Sequence, residues 1–393
     1  MRILHVTPAY YPAIHWGGPI FSVYGLNKGI AVFPDVELRV LTTDAAGPRV
    51  SDRLDSRDID FESLYPDYTV YFMRRIAGDS VSPGLLIRLP ALIRWADVVH
   101  LTAVYSFPTF PTLILSLLHK KPLIWSPSGS LLEINNYEQA RKKGLKRVWN
   151  AACNYLLRFG NVTLHTTSRA EMTASLNQLP DARAMVIRHG TELSAQPPAR
   201  SYLRDGKLRL LFIGRLHPIK GIEKLLEAVK VLDDPTISLS ICGDGDPQYV
   251  LSLKERARQL GLLETVVHFS GRVEGEAKRA AFLDADVCVF PSHSENFGIV
   301  VAESLAHAVP VIVSHGMPWQ DVEDRRCGLW VENSPEELAR AIRSMRRMDL
   351  AAMGSSGWKW MNDEFSWDSI SREMLAAYKA AVQKKGLAAE RRA

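Results

Sequence analysis

The sequence predicts two α/β domains, each built on a parallel sheet with helices on both faces. Two observations lead to this prediction. The chain has 393 residues, which is about twice the length of a common single domain. Short apolar segments alternate with helical patterns over nearly its whole length, and this alternation is typical of strand–helix–strand units. We therefore predict two Rossmann-like domains facing a central cleft.

The strand candidates fall into two sets, separated by a short Pro-rich stretch at 194–199. The first set comprises 2–7, 36–42, 69–75, 97–101, 122–126, 162–166 and 184–188. The second comprises 208–213, 237–242, 265–269, 286–290, 310–313 and 327–331. We place the N-terminal domain at 1–195 and the C-terminal domain at 199–365, and expect a last helix at about 366–385 to pack back on the first. The segment 44–66 is predicted to be an irregular, mobile insertion.

The composition, 47% hydrophobic and 23% charged, is ordinary for a folded protein and excludes a disordered or fibrous class. Scattered cysteines argue against a disulfide framework or a zinc site, so we expect buried thiols in a reducing cytoplasm. These are Cys153, Cys242, Cys288 and Cys327. The N-terminus lacks the apolar segment of a signal peptide. The uncharged stretch 101–118 contains two prolines, and we expect a strand end, a loop and a buried helix there rather than a membrane span.

The positive charges are clustered although the net charge is only +5. The basic segment 141–147 precedes Val148 and Trp149, and the tail carries Lys384, Lys385, Arg391 and Arg392. Cations next to apolar residues predict peripheral contact with an anionic membrane, with a solvated helix face as the alternative. The charge balance alone does not indicate a nucleic-acid partner.

The chemistry begins with the segment from Val289 to Glu303. An apolar strand ends at Pro291, a polar loop follows, and a helix opens near Gly298. Ligands bind at the carboxyl ends of parallel strands, and the free N–H groups of a helix start favour an anion such as a diphosphate. Glu295 falls in the loop and Glu303 on the helix, so the two carboxylates can contact different parts of one extended ligand.

A second loop, Gly214 to Gly221, also follows an apolar strand and precedes a helix. It carries Arg215, whose planar guanidinium suits phosphate oxygens, and Lys220, which adds a point charge. Such cations are usually ordinary loop charges when they occur alone. In the same domain as the Glu295 loop, they predict a diphosphate site.

These two motifs together resemble the retaining glycosyltransferase family 4, which has the two-domain GT-B fold. The segments Ile187-Arg188-His189-Gly190, Ile241 to Gly245 and Val267 to Val273 are also similar to that family. The resemblance covers residues 1–380 and is tightest over 205–335. In the first half, Pro127 to Glu133 and Leu164 to Glu171 resemble a subgroup that builds bacterial surface polysaccharides, although Ser128 stands where many members carry Arg.

The resemblance implies a role for each matching residue. Arg215 and Lys220 would bind the donor diphosphate and stabilise its growing charge, Glu295 would hold the donor sugar, and Glu303 the ribose hydroxyls. Other residues would border the donor through their backbone or side chains: Gly214, Arg272, Val273, Asn296, Phe297, Gly298 and Ile299. No Asp-x-Asp motif of the metal-dependent kind stands on a suitable loop, so we predict no metal and no cofactor besides the GDP- or UDP-sugar donor.

The N-terminal half supplies two further candidates. Gly17 and Gly18 lie in the loop before the first helix, where paired glycines let backbone approach a phosphate. His100 matches the first position of a His-x-His-like segment of the family and is expected to assist the acceptor hydroxyl. Thr102 stands at the second position, which departs from the family pattern.

The leading prediction is a retaining hexosyltransferase acting on a saccharide or lipid-linked saccharide acceptor, in the cytoplasm at the inner membrane face. Three alternatives stay open. A nucleotide-sugar epimerase or hydrolase on the same fold needs further acids or bases, which we cannot identify. A dinucleotide oxidoreductase is suggested by Gly243-Asp244-Gly245, but Gln248 replaces the third glycine of that motif. A non-catalytic sugar-nucleotide binder would bind the donor without transfer.

Overall fold

The computed structural model describes residues 1–55, 59–132 and 143–390, and in it the chain divides into two compact units. Unit 1 consists of the chain up to Gly190 together with the chain from Trp367 onwards, and unit 2 is Thr191–Ser366. The Pro-rich stretch 194–199, which the sequence suggested as a linker, lies within unit 2. The reason is that the Thr191 backbone N–H donates to the Phe365 carbonyl at 2.8 Å, which ties the chain to unit 2 before the prolines.

Unit 1 is a parallel sheet of seven described strands in the order β3-β2-β1-β4-β5-β6-β7. The strands are β1 (Arg2–Val6), β2 (Glu37–Thr43), β3 (Thr69–Met73), β4 (Val98–Thr102), β5 (Leu123–Ser126), β6 (Val162–Thr166) and β7 (Arg183–Val186). The helices are α1 (Gly18–Ala31), α2 (Phe61–Leu64), α3 (Pro83–Trp95), α4 (Thr109–Leu118), α5 (Lys143–Leu157), α6 (Arg169–Gln178) and, at the C-terminus, α14 (Trp367–Glu390).

Unit 2 is a parallel sheet of six described strands in the order β10-β9-β8-β11-β12-β13. The strands are β8 (Leu208–Ile213), β9 (Ile237–Cys242), β10 (Val267–Gly271), β11 (Val287–Phe290), β12 (Val311–Ser314) and β13 (Gly328–Val331). The helices are α7 (Ile222–Leu232), α8 (Pro247–Gln259), α9 (Gly275–Asp284), α10 (Ile299–Ala306), α11 (Asp321–Asp324), α12 (Pro335–Met345) and α13 (Leu350–Glu364).

All the predicted strands are present, with ends within two residues of the predicted ones. The strands could be predicted because strands covered on both faces are continuous apolar segments. In β8, for example, Leu210, Leu211 and Phe212 are each 1% exposed. The prediction of two parallel α/β domains is confirmed.

Several helices begin at a polar side chain that accepts a hydrogen bond from the first turn. Ser82, Ser168 and Ser334 each accept from the backbone N–H three residues later. Asp246 and Asp349 act in the same way for α8 and α13. Such caps satisfy backbone donors that have no partner within the helix and fix where each helix starts.

The uncharged stretch 101–118 forms the end of β4, a loop and α4, as predicted. Within the described part of the chain, no helix is both long enough and apolar enough to cross a membrane. All four cysteines are free and buried, which confirms the prediction of structural thiols. Burial raises the pKa of Cys153, Cys288 and Cys327 to about 12, so these thiols stay protonated.

The predicted irregular segment 44–66 has an internal organisation that its polar composition does not reveal. The guanidinium of the fully buried Arg75 donates to the carbonyls of Gly47 and Asp52, each at 2.8 Å. Ala45 and Arg53 form an isolated antiparallel bridge beside it. The loop is therefore built around one buried cation, while its residues 56–58 lie outside the described part.

The C-terminal helix α14 is anchored in unit 1 by Trp367. A Cβ atom placed on Gly25 would lie 2.2 Å from the indole of Trp367, and one on Gly190 would lie 2.4 Å from it. Glycine is therefore required at both positions to leave room for the ring. Farther along α14, the buried residues Ile370 and Met374 join the apolar cluster between this helix, the sheet and α1.

The centre of the unit 1 sheet is polar. The rings of His5 and His100 stack with centroids 4.3 Å apart. His5 bonds to Asn27 and Thr102 at 2.8 Å each, while the Ser126 hydroxyl bonds to both His100 and His165. Burial lowers the pKa of His5 and of His165 to about 4, and that of His100 well below its ordinary value of 6.5.

We expect Gly25→Ala to lower the free energy of unfolding by about 1–3 kcal/mol, because the added methyl group overlaps the Trp367 ring. Thermal or chemical denaturation measures this change. Gly144→Ala is the matched control, since a Cβ at this helical glycine has no neighbour within 4 Å. Removing a glycine from an exposed helix should be neutral or stabilising by up to about 1 kcal/mol. Equal effects of the two substitutions would contradict the anchoring role of Trp367.

We also expect the protein to lose stability as the pH falls from about 6.5 towards 4. A buried histidine with a folded-state pKa of about 4 stays neutral while the unfolded chain takes up a proton, which favours unfolding. At pH 4.5 a single such histidine lowers the free energy of unfolding by about 2 kcal/mol relative to neutral pH. Urea denaturation at a series of pH values measures how steeply the free energy of unfolding changes with pH.

His100→Gln should reduce this slope, whereas His268→Gln, at a side chain 46% exposed, should not. Identical slopes in all three proteins would disprove the assignment.

Candidate functional site

The strand order of unit 2 creates a switch point between β8 and β11. The chain leaves β8 for β9 on one side and later returns to β11 on the other. The loops that follow these two adjacent strands therefore diverge and open a crevice at the carboxyl edge of the sheet, where open α/β sheets bind ligands. The two loops are 214–221 and 291–298, which are the segments that the sequence singled out.

The loop after β8 is tightly folded. Pro218–Lys220 form one 3₁₀ turn, capped by the His217 ring, which accepts from the Ile219 backbone N–H at 3.2 Å. Gly221 follows with φ of +62°, a left-handed conformation that favours glycine, and caps α7. A Cβ atom on Gly221 would also lie 2.2 Å from the Pro291 carbonyl of the second loop. The two loops thus approach each other too closely for a side chain here.

The loop after β11 is hydrogen-bonded to the loop after β8 and to the loop after β12. The His293 N–H donates to the Ile219 carbonyl at 2.7 Å, and the Glu295 N–H donates to the Gly316 carbonyl at 3.0 Å. Gly298 caps α10 with φ of +78°, and a Cβ atom there would lie 2.6 Å from Met317. The helix therefore begins directly at the crevice, with its first backbone N–H groups at the loop.

An aromatic cluster in the core of unit 2 packs around Phe297 of this loop. The ring of Phe297 is 6% exposed and packs against Trp319 and Phe365, with centroids 5.2 and 6.2 Å away. The Trp319 indole also donates to the Phe297 carbonyl. Phe297 thereby acts as an apolar anchor that holds the polar loop residues on either side of it in place.

The structure brings Lys220 and Glu295 together. The Lys220 ammonium donates to Oε2 of Glu295, and each side chain is 20% exposed. Arg215 lies five residues before Lys220 on the same loop and is exposed. Its guanidinium makes no hydrogen bond or ion pair with the described residues. The crevice thus holds one ion pair and one cation that is available to an anion.

The second glutamate is held by a residue that the sequence analysis missed. On α10, Oε1 of Glu303 accepts from the Lys278 ammonium on α9 at 2.6 Å, whereas its Oε2 is buried and has no partner among the described residues. Lys278 lies twenty-five positions earlier, in a helix most of whose residues are exposed. No local pattern indicates this contact, because it depends on how α9 and α10 pack.

Arg272 and Val273 follow β10 at the edge of the sheet. Arg272 forms ion pairs with Asp244 at 3.6 Å and Glu274 at 2.5 Å, and Val273 packs partly buried against the core. The flanking glycines of Gly243-Asp244-Gly245 are explained by packing. A Cβ atom on Gly243 would lie 1.9 Å from the Gly214 carbonyl, and one on Gly245 would lie 2.0 Å from that of Leu216. Loop contact therefore accounts for the glycines that suggested an oxidoreductase.

Unit 1 has its own switch point, between β1 and β4. The loop after β1 contains a 3₁₀ turn at Ile14–Trp16, and the Trp16 indole donates to the Ala45 carbonyl at 3.0 Å. Gly17 then adopts φ of +76° and caps α1, which begins at Gly18. The predicted glycine pair thus lies at the N-terminus of a helix, at the carboxyl edge of this sheet.

His100 lies inside the sheet of unit 1. It is part of β4, is 1% exposed, and bonds through both ring nitrogens, at 2.6 Å to Tyr378 and at 2.6 Å to Ser126. Burial also lowers its pKa well below the ordinary value. No ring nitrogen is then left for an acceptor hydroxyl, which argues against the expected role. The sequence does not indicate this, because the bond to Tyr378 of α14 depends on the tertiary structure.

The chain is similar in sequence to known glycosyltransferases. Residues 198–352 match the sequence model of the family described as Glycosyl transferases group 1. An uncharacterized glycosyltransferase of Methanocaldococcus jannaschii is 33% identical over 193 residues, 47% of this chain and 48% of that protein. D-inositol 3-phosphate glycosyltransferase of Geodermatophilus obscurus is 31% identical over 228 residues, 53% of this chain and 50% of that protein. The chain thus spans about half the length of these two curated relatives.

Solved structures match over almost the whole chain. HepE of Anabaena, crystallised with UDP, has a TM-score of 0.73 at 19% identity and covers 97% of this chain and 100% of its own. Its complex with UDP-glucose gives a TM-score of 0.72 at 18% identity, with the same coverage. Sucrose-phosphate synthase of Thermosynechococcus elongatus gives 0.72 at 18% identity and covers 97% of this chain and 99% of its own. The two units have the fold of GT-B glycosyltransferases, and the match to the glycosyl transferases group 1 model lies within unit 2.

Proposed function

We propose that the protein is a retaining hexosyltransferase of glycosyltransferase family 4 that uses a nucleotide diphosphate sugar, UDP- or GDP-linked, as donor. The observation that carries the proposal is the contact between Lys220 and Glu295 at the switch point of unit 2. This contact joins the two loops that the family resemblance assigns to the donor. It lies within the segment that matches a glycosyltransferase family model.

Arg215 and Lys220 are proposed to bind the donor diphosphate. Their charges, with the first N–H groups of α10, would stabilise the negative charge that grows on the diphosphate as the sugar leaves. Two fixed cations can supply this charge compensation without a divalent metal, which is why we propose a metal-independent reaction. Gly17 and Gly18, at the N-terminus of α1, are proposed as phosphate-binding residues on the family resemblance alone.

Glu295 is proposed to hold hydroxyl groups of the donor sugar, and Glu303 those of the ribose. Asn296, Phe297, Gly298 and Ile299 would contribute backbone contacts beside the sugar. Gly214, Arg272 and Val273 would border the rest of the nucleotide. In this scheme the acceptor attacks from the face that the diphosphate leaves, which retains the anomeric configuration. Glu295 then contributes binding and electrostatic support and does not act as a nucleophile.

The acceptor is proposed to be a saccharide or lipid-linked saccharide in surface polysaccharide synthesis, reached at the cytoplasmic face of the membrane. Helix α5 supports the membrane contact. Its exposed apolar residues Leu145, Val148, Ala152 and Tyr155 are spaced three, four and three positions apart, which places them on one face. The cation Arg147 is exposed beside them. Such a face is typical of helices that lie on anionic membranes.

Part of the predicted basic surface lies outside the described residues. Arg141, Lys142, Arg391 and Arg392 lie outside the described residues, as do the side chains of Lys143, Lys384 and Lys385. The membrane proposal therefore depends on the apolar face of α5.

We expect Glu295→Gln to reduce kcat by about 100-fold or more, because the amide loses the charge that supports transfer. The donor is first identified by thermal shift with UDP-, GDP- and ADP-sugars, since a bound ligand stabilises the fold. Transfer to saccharide acceptors is then measured, with the product anomer determined by NMR.

Glu276→Gln is the matched control, because Glu276 is 78% exposed on α9 and pairs only with Arg279 there. It should keep full turnover. Full turnover in Glu295→Gln would refute the role of Glu295. Donor binding without transfer would favour a non-catalytic binder, and conversion of the donor without an acceptor would favour an epimerase or hydrolase.

In a flotation assay we expect the protein to rise with vesicles containing phosphatidylglycerol and to remain in the bottom fraction with phosphatidylcholine vesicles. Leu145→Ser combined with Val148→Ser should reduce flotation by about tenfold, because two exposed apolar side chains are lost from the face. Leu251→Ser, at a residue 66% exposed in unit 2, is the control and should float like the unaltered protein. Undiminished flotation of the double variant would exclude α5 as the docking surface.

A further inference from the structure

The carboxylate of Glu303 is only half satisfied. Its Oε1 accepts from the Lys278 ammonium at 2.6 Å, and its Oε2 is buried without a hydrogen-bond partner among the described residues. A buried acceptor without a donor is unfavourable, and such groups in native proteins call for a specific explanation. The Glu303 side chain as a whole is 23% exposed, whereas Oε2 itself is covered, so a ligand reaches Oε2 only after the carboxylate rotates.

Lys278 is well placed to fix this carboxylate. It lies on α9, four positions before Phe282, whose buried ring stacks on His307 with centroids 4.7 Å apart. His307 follows Glu303 by the same four positions at the end of α10. One turn of α9 therefore contacts one turn of α10 at two points, one ionic and one aromatic. The aromatic contact holds the helices, and the ionic contact orients Glu303.

The position of α9 also connects Lys278 to the rest of the donor site. The helix begins at Gly275, directly after the loop that carries Arg272 and Val273. The same short segment thus supplies the residues proposed to border the nucleotide and the lysine that holds Glu303. The Lys278 ammonium is paired with the Glu303 carboxylate, as Lys220 is with Glu295.

We infer that Lys278 is a positioning residue that holds the Glu303 carboxylate ready to accept the hydroxyl groups of a ribose, and that this pair makes the site selective for ribonucleotides over 2′-deoxyribonucleotides. The inference rests on the proposed function of the same site. A ribose offers two O–H donors, one for each carboxylate oxygen, because Oε1 can accept a second bond beside that from Lys278. A 2′-deoxyribose offers one donor fewer, so one of these two bonds is lost.

The test measures dissociation constants for UDP and GDP, and for the 2′-deoxy form of whichever binds, by calorimetry. The unaltered protein should bind the ribonucleotide about tenfold more tightly, as expected for a hydrogen bond to a charged group. Lys278→Met should reduce this ratio to about twofold, and Lys278→Arg should restore most of it. With a transferable donor, Lys278→Met should raise KM and leave kcat within about twofold.

Arg279→Met is the matched control, because Arg279 neighbours Lys278 on α9 but pairs with Glu276 at the surface. It should keep the full ratio. Equal weakening of both nucleotides by Lys278→Met would overturn the inference, since it would indicate a general charge effect or a phosphate contact. An unchanged ratio would overturn it as well. If Lys278→Met does not fold, the ratio of the two dissociation constants is measured in Lys278→Gln and is expected to fall to about twofold there. Absence of any nucleotide binding by the unaltered protein would instead refute the proposed function.

Discussion

The candidate site depends on the contact between the two loops at the switch point of unit 2. The His293 N–H donates to the Ile219 carbonyl, and Gly221 leaves room for the Pro291 carbonyl. These are backbone contacts, so they fix the relative position of the loops whatever side chains the loops carry. Lys220 reaches the carboxylate on the other loop because of them. The chemistry of the site is thus set by main-chain geometry, and the charged side chains only occupy positions that this geometry provides.

Much of the fold and part of the site could be predicted from the sequence, for physical reasons that differ. Strands buried on both faces must be apolar throughout, so they stand out locally. Loops at strand ends can be located once the strands are known, and this placed Lys220 and Glu295 correctly near each other. Lys278 escaped detection because its partner is chosen by helix packing. The burial of His100 could not be predicted from its local sequence, because it depends partly on Tyr378, which lies 278 positions later on α14.

The two units place polar groups in opposite ways. Unit 2 keeps its sheet apolar and gathers charge at the loops beyond the strand ends. Unit 1 instead carries neutral histidines inside the sheet, with His5 stacked on His100 and each ring nitrogen bonded. Buried groups of this kind are costly unless every partner is present. The interior of unit 1 therefore tolerates fewer substitutions than its apolar counterpart, and its specificity for one packing arrangement is correspondingly higher.

The anchoring of Trp367 between Gly25 and Gly190 has a consequence for the order of events during synthesis. Unit 2 is continuous in sequence, whereas unit 1 lacks α14 until the residues from Trp367 onwards have been made. When the first 190 residues leave the ribosome, the slot for the indole is empty and the apolar cluster that receives Met374 is uncovered. Domains made first usually fold first. In this protein the later unit can complete its structure before the earlier one receives α14.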